Sequence, residues 1–333
     1  MWELLFKHSL SKRRLKIIYP KQVGNNRDIL TVFSRRYELK GLDSLLQLIL
    51  IGLSVGGIYA LIASGYALVY SLLRFSNWAH GEVAMLGAYI ALTGVVSMKL
   101  PFWASALLGI LFAGVVSVLN ERIAYKRIRD NHAPSTFLMI AAMGLSTTFQ
   151  NIAMLVFGAK FKSFPQIFSN SSIVIGGAYI GKLDIVALLI SAVALIILEF
   201  TIHKTKFGLS VRAMATDSET SSLLGINIDR SYTLVFLIAG VLAGCAGVLL
   251  GMKYNVYPEM GNVGLKAFIA SVVGGLGSVS GAIIGAVIIG ILETFVSIEI
   301  SSGLKDFFVF ALLIAILLIK PSGLLGKDVQ DKA

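Results

Sequence analysis

The sequence predicts an all-α, polytopic integral membrane protein of about eight transmembrane helices, with broken or re-entrant segments among them. Three observations carry this. Hydrophobic residues make up 56% of the 333 and charged residues only 14%, against about 25% charge in a soluble domain. Mean hydropathy is +0.82. The apolar residues also fall in blocks of ~18 or more, long enough to cross a ~30 Å hydrocarbon layer as helices. A soluble enzyme and a disordered chain are thereby excluded. A disulfide scaffold is excluded too, because Cys245 is the single cysteine and has nothing to pair with; in its Gly-rich apolar run it reads as a packing thiol. A β-barrel is rejected, since the apolar runs are continuous where a barrel needs alternation.

The chain opens on a basic arm, residues 1–43. Its first 40 residues hold ten Lys and Arg against Glu3, Asp28 and Glu38, most of the formal +11 of the chain. Beside a membrane span, such an arm is expected on the cytoplasmic side against anionic lipid, with no nucleic acid involved. It holds no apolar stretch of signal-peptide length.

Eight apolar blocks follow, at about 44–73, 79–98, 102–120, 135–157, 183–201, 232–252, 267–297 and 307–319. Lipid cannot bond a peptide group, so each must be helical or buried within helices. Loop charge sets the orientation. The segment 121–133 carries Arg122, Lys126, Arg127 and Arg129; the segment 202–231 carries Lys204, Lys206, Arg212 and Arg230; the tail carries Lys320, Lys327 and Lys332. These are expected to be cytoplasmic, as are both termini, in a multi-pass protein of the inner (cytoplasmic) membrane.

Parity then makes a demand. An odd number of blocks separates the arm from loop 121–133, and loop 202–231 from the tail, yet all four are assigned inside. One block in each half therefore cannot be a simple crossing. Glycines mark the candidates: Gly52 to Gly57 running on to Asn77-Trp78-Ala79-His80-Gly81-Glu82, and Gly274-Gly275-Leu276-Gly277-Ser278 followed by Ser280 and Gly281. Broken helices at corresponding places in two halves mark a transporter's substrate path. For the second, a re-entrant hairpin is expected, with Ser278 and Ser280 supplying hydroxyls to the freed backbone. Asn77, His80 and Glu82 read either as a polar lining of the path or as a helix cap with its first turn. Glu199 is expected to reach headgroups, and Glu293 to lie at an interface rather than to couple transport.

The loop 202–231 is too patterned for a plain connector. Asp217 suits an N-cap for a short helix over 218–224, and Gly225 suits a left-handed C-terminal cap with Ile226 as its apolar follower. Leu209, Val211, Met214 and Ala215 predict an amphipathic piece before it. Helices this short must pack on the rest of the protein or be offered to a partner, and an apolar face without catalytic groups suggests docking on a soluble subunit.

On these residues the chain resembles the membrane-spanning permease subunit of branched-chain amino acid ATP-binding-cassette importers. The likeness covers about 44–326 and rests on Gly52 to Leu61; on Asn77 to Val83; on the cytoplasmic Gly208 to Asn227, with Arg212-Ala213 and Leu224-Gly225-Ile226-Asn227; and on Lys266-Ala-Phe, Gly274 to Ser278, and Lys320 to Gly326. The basic arm departs from the family's pattern. The resemblance implies a permease domain over 44–326 with a cytoplasmic tail at 327–333. It also implies a second homologous permease subunit, two ATPase subunits and an extracytoplasmic substrate-binding protein. Asn77, His80, Gly81, Glu82, Gly274, Gly275, Gly277 and Ser278 become candidates for the path. Gly208, Arg212, Ala213, Asp217, Leu224, Gly225, Ile226 and Asn227 become candidates for ATPase coupling.

The residues agree with that division of labour. No G-x-x-x-x-G-K-[S/T] phosphate loop occurs, so no cofactor is expected in this chain and ATP would be used by partner subunits. His8, His80, His132 and His203 are isolated, which gives no metal site and no nucleophilic set. A urea or short-chain amide permease shares these motifs. An ion-coupled secondary carrier is the alternative of another class; it needs no docking loop but should bury ion pairs.

Overall fold

The computed structural model describes residues 26–165, 167 and 172–326, and side chains from Ser44 onward apart from that of Ile175. The basic arm up to residue 25, with its expected lipid contact, and the tail 327–333 lie outside the described residues. The described residues divide into two compact units, one reaching to Leu46 and including Gly176–Ala178, the other beginning at Gln47. The second holds the helical bundle described below.

The long helices are α1 Asn26–Leu73, α2 His80–Val96, α3 Phe102–Leu119 and α5 Ser135–Phe157. A π-helical turn at Asn120–Tyr125 extends α3 into the short α4, Lys126–Asp130. Strands β1 Ser172–Ile175 and β2 Ala178–Gly181 form a two-stranded sheet. Then come α6 Lys182–Lys204, α7 Lys206–Thr216, α8 Ser218–Leu223 and α9 Ile228–Lys253. The chain closes with α10 Val263–Gly274, α11 Val279–Val296 and α12 Lys305–Ile319. Among the described residues, six helical runs are long and apolar enough to cross a membrane: Ser44–Leu73, Phe102–Asp130, Ser135–Phe157, Lys182–Lys204, Ile228–Lys253 and Val279–Ile319, with the shorter apolar α2 beside them. The last run is not one straight rod. Ser301 is extended at φ −171°, ψ 136°, and Lys305 Nζ returns to within 3.2 Å of Glu293.

Side-chain contacts sort the helix ends into two sets. Ser54 Oγ donates to Asp184 at 3.1 Å, and Lys253 pairs with the same carboxylate. At the opposite end Arg74 Nη2 donates to the Ala215 carbonyl at 3.3 Å, and Tyr125 donates to Asn77 Oδ1 at 2.8 Å. Followed from Ser54, the chain traverses the bundle by α1, α2, α3, α5, α6, α9, the stretch 254–274, α11 and α12. Among the described residues six of these runs have the length and hydropathy of full spans, which does not by itself establish the expected eight.

Glycines set how closely the helices approach. A Cβ on Gly247 of α9 would lie 2.0 Å from the Ala84 carbonyl oxygen of α2, and one on Gly109 of α3 would lie 2.3 Å from the Gly87 oxygen. Small residues that let backbones touch are how membrane helices gain dispersion contacts where lipid offers no hydrophobic drive. The same use accounts for a difference from the sequence reading. Gly52, Gly56 and Gly57 lie inside the unbroken α1, and Cβ atoms on Gly52 and Gly56 would each sit 2.8 Å from backbone of α11, at Ile291 and Val287. They are packing glycines. The first break lies further on, at residues 74–79.

Candidate functional site

At the first break, Arg74 takes φ +52°, a left-handed conformation that stops α1. Asn77 is buried at 3% exposure. Its side chain makes no cap: α2 has no side-chain hydrogen bond at its N-cap, and Asn77 Oδ1 instead accepts from Tyr125 at 2.8 Å. The cap reading of Asn77 is therefore corrected, and the residue ties the break to the end of α3. His80 and Glu82 are buried at 1% and 4%. His80 Nε2 and Glu82 Oε2 have no hydrogen-bond partner, while Glu82 Oε1 accepts from Ser146 at 3.3 Å.

The second break separates α10 from α11. Gly275 and Gly277 take φ +118° and +83°, values open to glycine and strained for other residues. Ser278 Oγ accepts from the Gly281 N–H at 3.1 Å as the N-cap of α11. The remaining helix-end carbonyls are satisfied from elsewhere in the chain. Leu324 N–H donates to the Val273 carbonyl at 2.9 Å and Leu325 N–H to that of Gly274 at 2.8 Å. Residues 320–326 therefore form a backbone plug on the end of α10. Ser280, expected to serve these groups, donates to Glu199 Oε1 at 2.8 Å instead. Glu199 thus bonds a neighbouring helix as well as facing outward. The expected hairpin exists, but its turn lies at the bundle end beside Ser71, 3.7 Å from a Cβ on Gly277. The extended stretch before α10 supplies the length that block 267–297 lacks for two full passages.

Inside the bundle, the start of α2 meets the turn that precedes α10. A Cβ on Gly81 would lie 2.1 Å from the Gly261 oxygen and 2.9 Å from Gly264 Cα, and one on Gly261 would lie 2.2 Å from the Glu82 carboxylate. Gly261 belongs to the 3-10 turn Pro258–Asn262 that leads into α10. Rings close the seam: Tyr66 lies 5.0 Å from His80 and 5.8 Å from Phe268, and Trp78 lies 6.0 Å from Phe268. Of the path candidates, His80, Gly81 and Glu82 line this seam and Asn77 is bonded to Tyr125 at the end of α3, whereas Gly274, Gly275, Gly277 and Ser278 sit at the bundle end under the tail. The sequence places both groups on one expected path, whereas the structure sets them apart.

The loop between α6 and α9 is built largely as its residues suggest. Thr205 caps α7 through Gly208 N–H at 3.1 Å. Gly208, Val211 and Met214 are the buried face of α7, while Leu209, expected inward, is 60% exposed. A Cβ on Gly208 would lie 2.1 Å from the Ile202 oxygen, to which Arg212 Nη1 also donates. Asp217 accepts from Glu219 and Thr220 N–H, both at 3.0 Å. These bonds and the Thr220 hydroxyl hold its carboxyl below the usual carboxylate range. Gly225 takes φ +87° and its N–H bonds the Ser222 carbonyl at 3.0 Å, while Ile226 N–H bonds that of Ser221 at 3.1 Å. Asn227 then caps α9 through Arg230 N–H at 2.9 Å. Ala213 is half-buried. Leu223 and Leu224 are 85% and 78% exposed, an apolar pair held outward by a capped scaffold.

One cluster escaped the sequence reading. Glu293, expected at an interface, is buried at 6%. It accepts from Tyr59 at 2.9 Å and Lys266 Nζ at 2.8 Å, and Lys305 Nζ lies 3.2 Å away. Lys266 also pairs with Asp306 at 2.8 Å. These residues line a cavity of about 420 Å³ at the Ser54–Asp184–Lys253 end. The signal was present as charges interrupting the last apolar blocks, but only folding brings residues 59, 266, 293 and 305 together. Among the described residues, no group of three or more His, Cys, Asp or Glu could hold a metal ion.

Comparison with known proteins adds the following. A family described as the permease component of the branched-chain amino acid transport system matches residues 48–317. The chain is 37% identical over 304 residues to the high-affinity branched-chain amino acid transport system permease protein LivH of Escherichia coli K12, covering 86% of this chain and 97% of that one. It is 36% identical over 303 residues to the corresponding protein BraD of Pseudomonas aeruginosa, with 86% and 97% covered. To the probable permease protein LivH of Methanocaldococcus jannaschii it is 30% identical over 288 residues, with 80% and 88% covered.

Proposed function

The chain belongs to the branched-chain amino acid transport permease family, and we propose that it is one membrane-spanning subunit of an ATP-binding-cassette importer for branched-chain or other hydrophobic amino acids. The observation that carries this is identity of 37% spread over 97% of a permease of that kind. The chain is a permease subunit and not itself an enzyme. ATP hydrolysis belongs to two partner subunits, a second permease completes the path, and a binding protein delivers the amino acid from outside.

With the basic segment 121–133 and the loop 202–231 facing the cytoplasm, the end marked by Ser54, Asp184 and Lys253 faces outward. Charge at the inner end is also locally neutralised. Arg129 pairs with Glu121 at 2.9 Å and Asp229 at 2.7 Å, and Lys126 pairs with Asp229.

The geometry supports a route for coupling. Closure of the ATPases would press on Leu223 and Leu224. Asn227 links that scaffold to α9, whose Gly240, Gly244 and Gly247 lie at backbone distance from α2 and α3. Arg74, bonded to Ala215, links it to the first break. Both connections reach the seam at Gly81 and Gly261, where backbones touch and His80 Nε2 and Glu82 Oε2 are buried without partners. A packed bundle transmits such displacement because its interior does not compress.

The buried Lys266–Glu293, Arg129–Glu121 and Lys253–Asp184 pairs are features an ion-coupled carrier would share. Co-purification separates the readings. The chain expressed with its candidate ATPases and second permease should form a stable complex whose ATP hydrolysis rises with amino-acid-loaded binding protein. Transport by the isolated chain that collapses with a protonophore would establish the carrier instead.

A further inference from the structure

We propose that the cavity between Tyr59, Lys266 and α12 is an entry subsite for a zwitterionic α-amino acid, with Lys305 taking the carboxylate and Asp306 the ammonium. This rests on the importer reading above and deepens it by assigning the ligand's first contact on this chain.

The cluster has two tiers. The inner one is closed: the Glu293 side chain is 8% exposed and the Lys266 side chain 18%, and Glu293 accepts from Tyr59 and Lys266 and is ion-paired with Lys305. Its oxygens are occupied, and its role is to brace α1, α10 and α11 together. The outer tier is open. The Lys305 and Asp306 side chains are 39% and 58% exposed. Each has a single ionic partner, Glu293 for Lys305 and Lys266 for Asp306. An ammonium has three donors and a carboxylate two acceptor oxygens, so both keep unused capacity at the cavity they line.

The charges select the ligand class. Two cations and two anions sum to zero, so a solute with one charge of each sign enters without unbalancing the set. A lone carboxylate or ammonium would leave one rim group uncompensated at a partly desolvated site. The remaining wall is apolar, with Val263, Ile269, Val309 and Phe310 lining the same space. An aliphatic side chain can be covered there while its polar head stays at the rim. A volume of about 420 Å³ is ample for one amino acid and falls within the range of small-molecule sites. A protein loop from a delivering partner would need a broader, shallower surface; it is treated as the competing outcome below.

The test uses the complete permease–ATPase complex in nanodiscs without binding protein, and measures equilibrium binding of radiolabelled leucine. Saturable binding is expected. Unlabelled leucine should compete fully, whereas leucine methyl ester, which lacks the carboxylate, and 4-methylpentanoate, which lacks the amine, should not. Lys305→Gln and Asp306→Asn should each weaken binding by roughly tenfold or more, as loss of a charge-assisted hydrogen bond implies, with complex yield and thermal stability unchanged. The subsite is wrong if the unmodified complex shows no saturable binding, or if both analogues compete as well as leucine. It is also wrong if the variants lower only the stimulation by loaded binding protein, which would make the rim a protein-docking surface. In the unmodified complex, uptake with binding protein separates the two readings: uptake without leucine binding removes the subsite alone, and no uptake removes the importer reading.

Discussion

Leu325 donates its backbone N–H to the carbonyl of Gly274 at 2.8 Å, so the chain's closing segment completes the helix end where α10 is interrupted. The carbonyls at a helix terminus need partners, and at membrane depth water does not supply them freely. Gly323, at φ +78° and with a would-be Cβ 2.6 Å from Gly275 Cα, lets the two backbones meet.

Gly323→Val should therefore detach the plug. Backbone strain of about 1–3 kcal/mol adds to two carbonyls left unpaired at about 1–3 kcal/mol each. Uptake is expected to fall at least tenfold while the partner permease is still co-purified. Chymotryptic nicking after Leu325, measured alongside uptake, should rise in the variant. Normal uptake with an exposed tail would show the plug to be dispensable.

Gly225 has no heavy atom within 4 Å of a would-be Cβ, so substitution there tests backbone conformation alone. Gly225→Val should strain the turn by about 1–3 kcal/mol and uncouple ATP hydrolysis from loaded binding protein. Gly225→Asn should keep coupling, because asparagine tolerates the left-handed region. Equal coupling in both variants would separate this turn from ATPase docking.

Asp217 titrates below its ordinary value in the folded loop. A depressed carboxylate contributes stability above the unfolded value of about 3.9, and that contribution is lost as pH falls through the folded value. Asp217→Ala should lower hydrogen-exchange protection of residues 218–224 at pH 7. The difference from wild type should vanish once the wild-type carboxyl is protonated. A difference that persisted undiminished in acid would assign the effect to something other than this cap.

Gly261→Ala probes the seam. The added methyl would meet the Glu82 carboxylate at 2.2 Å, an overpacking typically worth about 1–3 kcal/mol. Uptake should drop several-fold and the melting temperature of the purified complex should fall. Full uptake at an unchanged melting temperature would mean that Gly261 and Glu82 can separate freely.

Much of this was legible in the sequence, for physical reasons that differ by element. Continuous apolar runs located the helices. Asp217 and Gly225 announced their cap and turn because each answers a local backbone need eight residues apart. The Gly274–Ser278 break was legible for the same reason, since positive φ calls for glycine. Contacts between distant segments were not legible. Gly52 and Gly56 looked like breakers, but their reason for being small is the backbone of α11. Ser280 looked like a backbone donor and found Glu199 instead. The Tyr59–Lys266–Glu293 cluster and the docking of residues 320–326 depend wholly on tertiary placement, which local pattern does not encode.

The most direct test of the whole account is the initial rate of radiolabelled leucine uptake into proteoliposomes. These would hold this chain with its second permease and ATPases, with ATP inside and binding protein outside. The account predicts accumulation that needs both ATP and binding protein, competes with valine and isoleucine, and ignores urea and short amides. Leucine uptake that proceeds without ATP on an ion gradient, or ATP-driven uptake of urea in place of leucine, would contradict it.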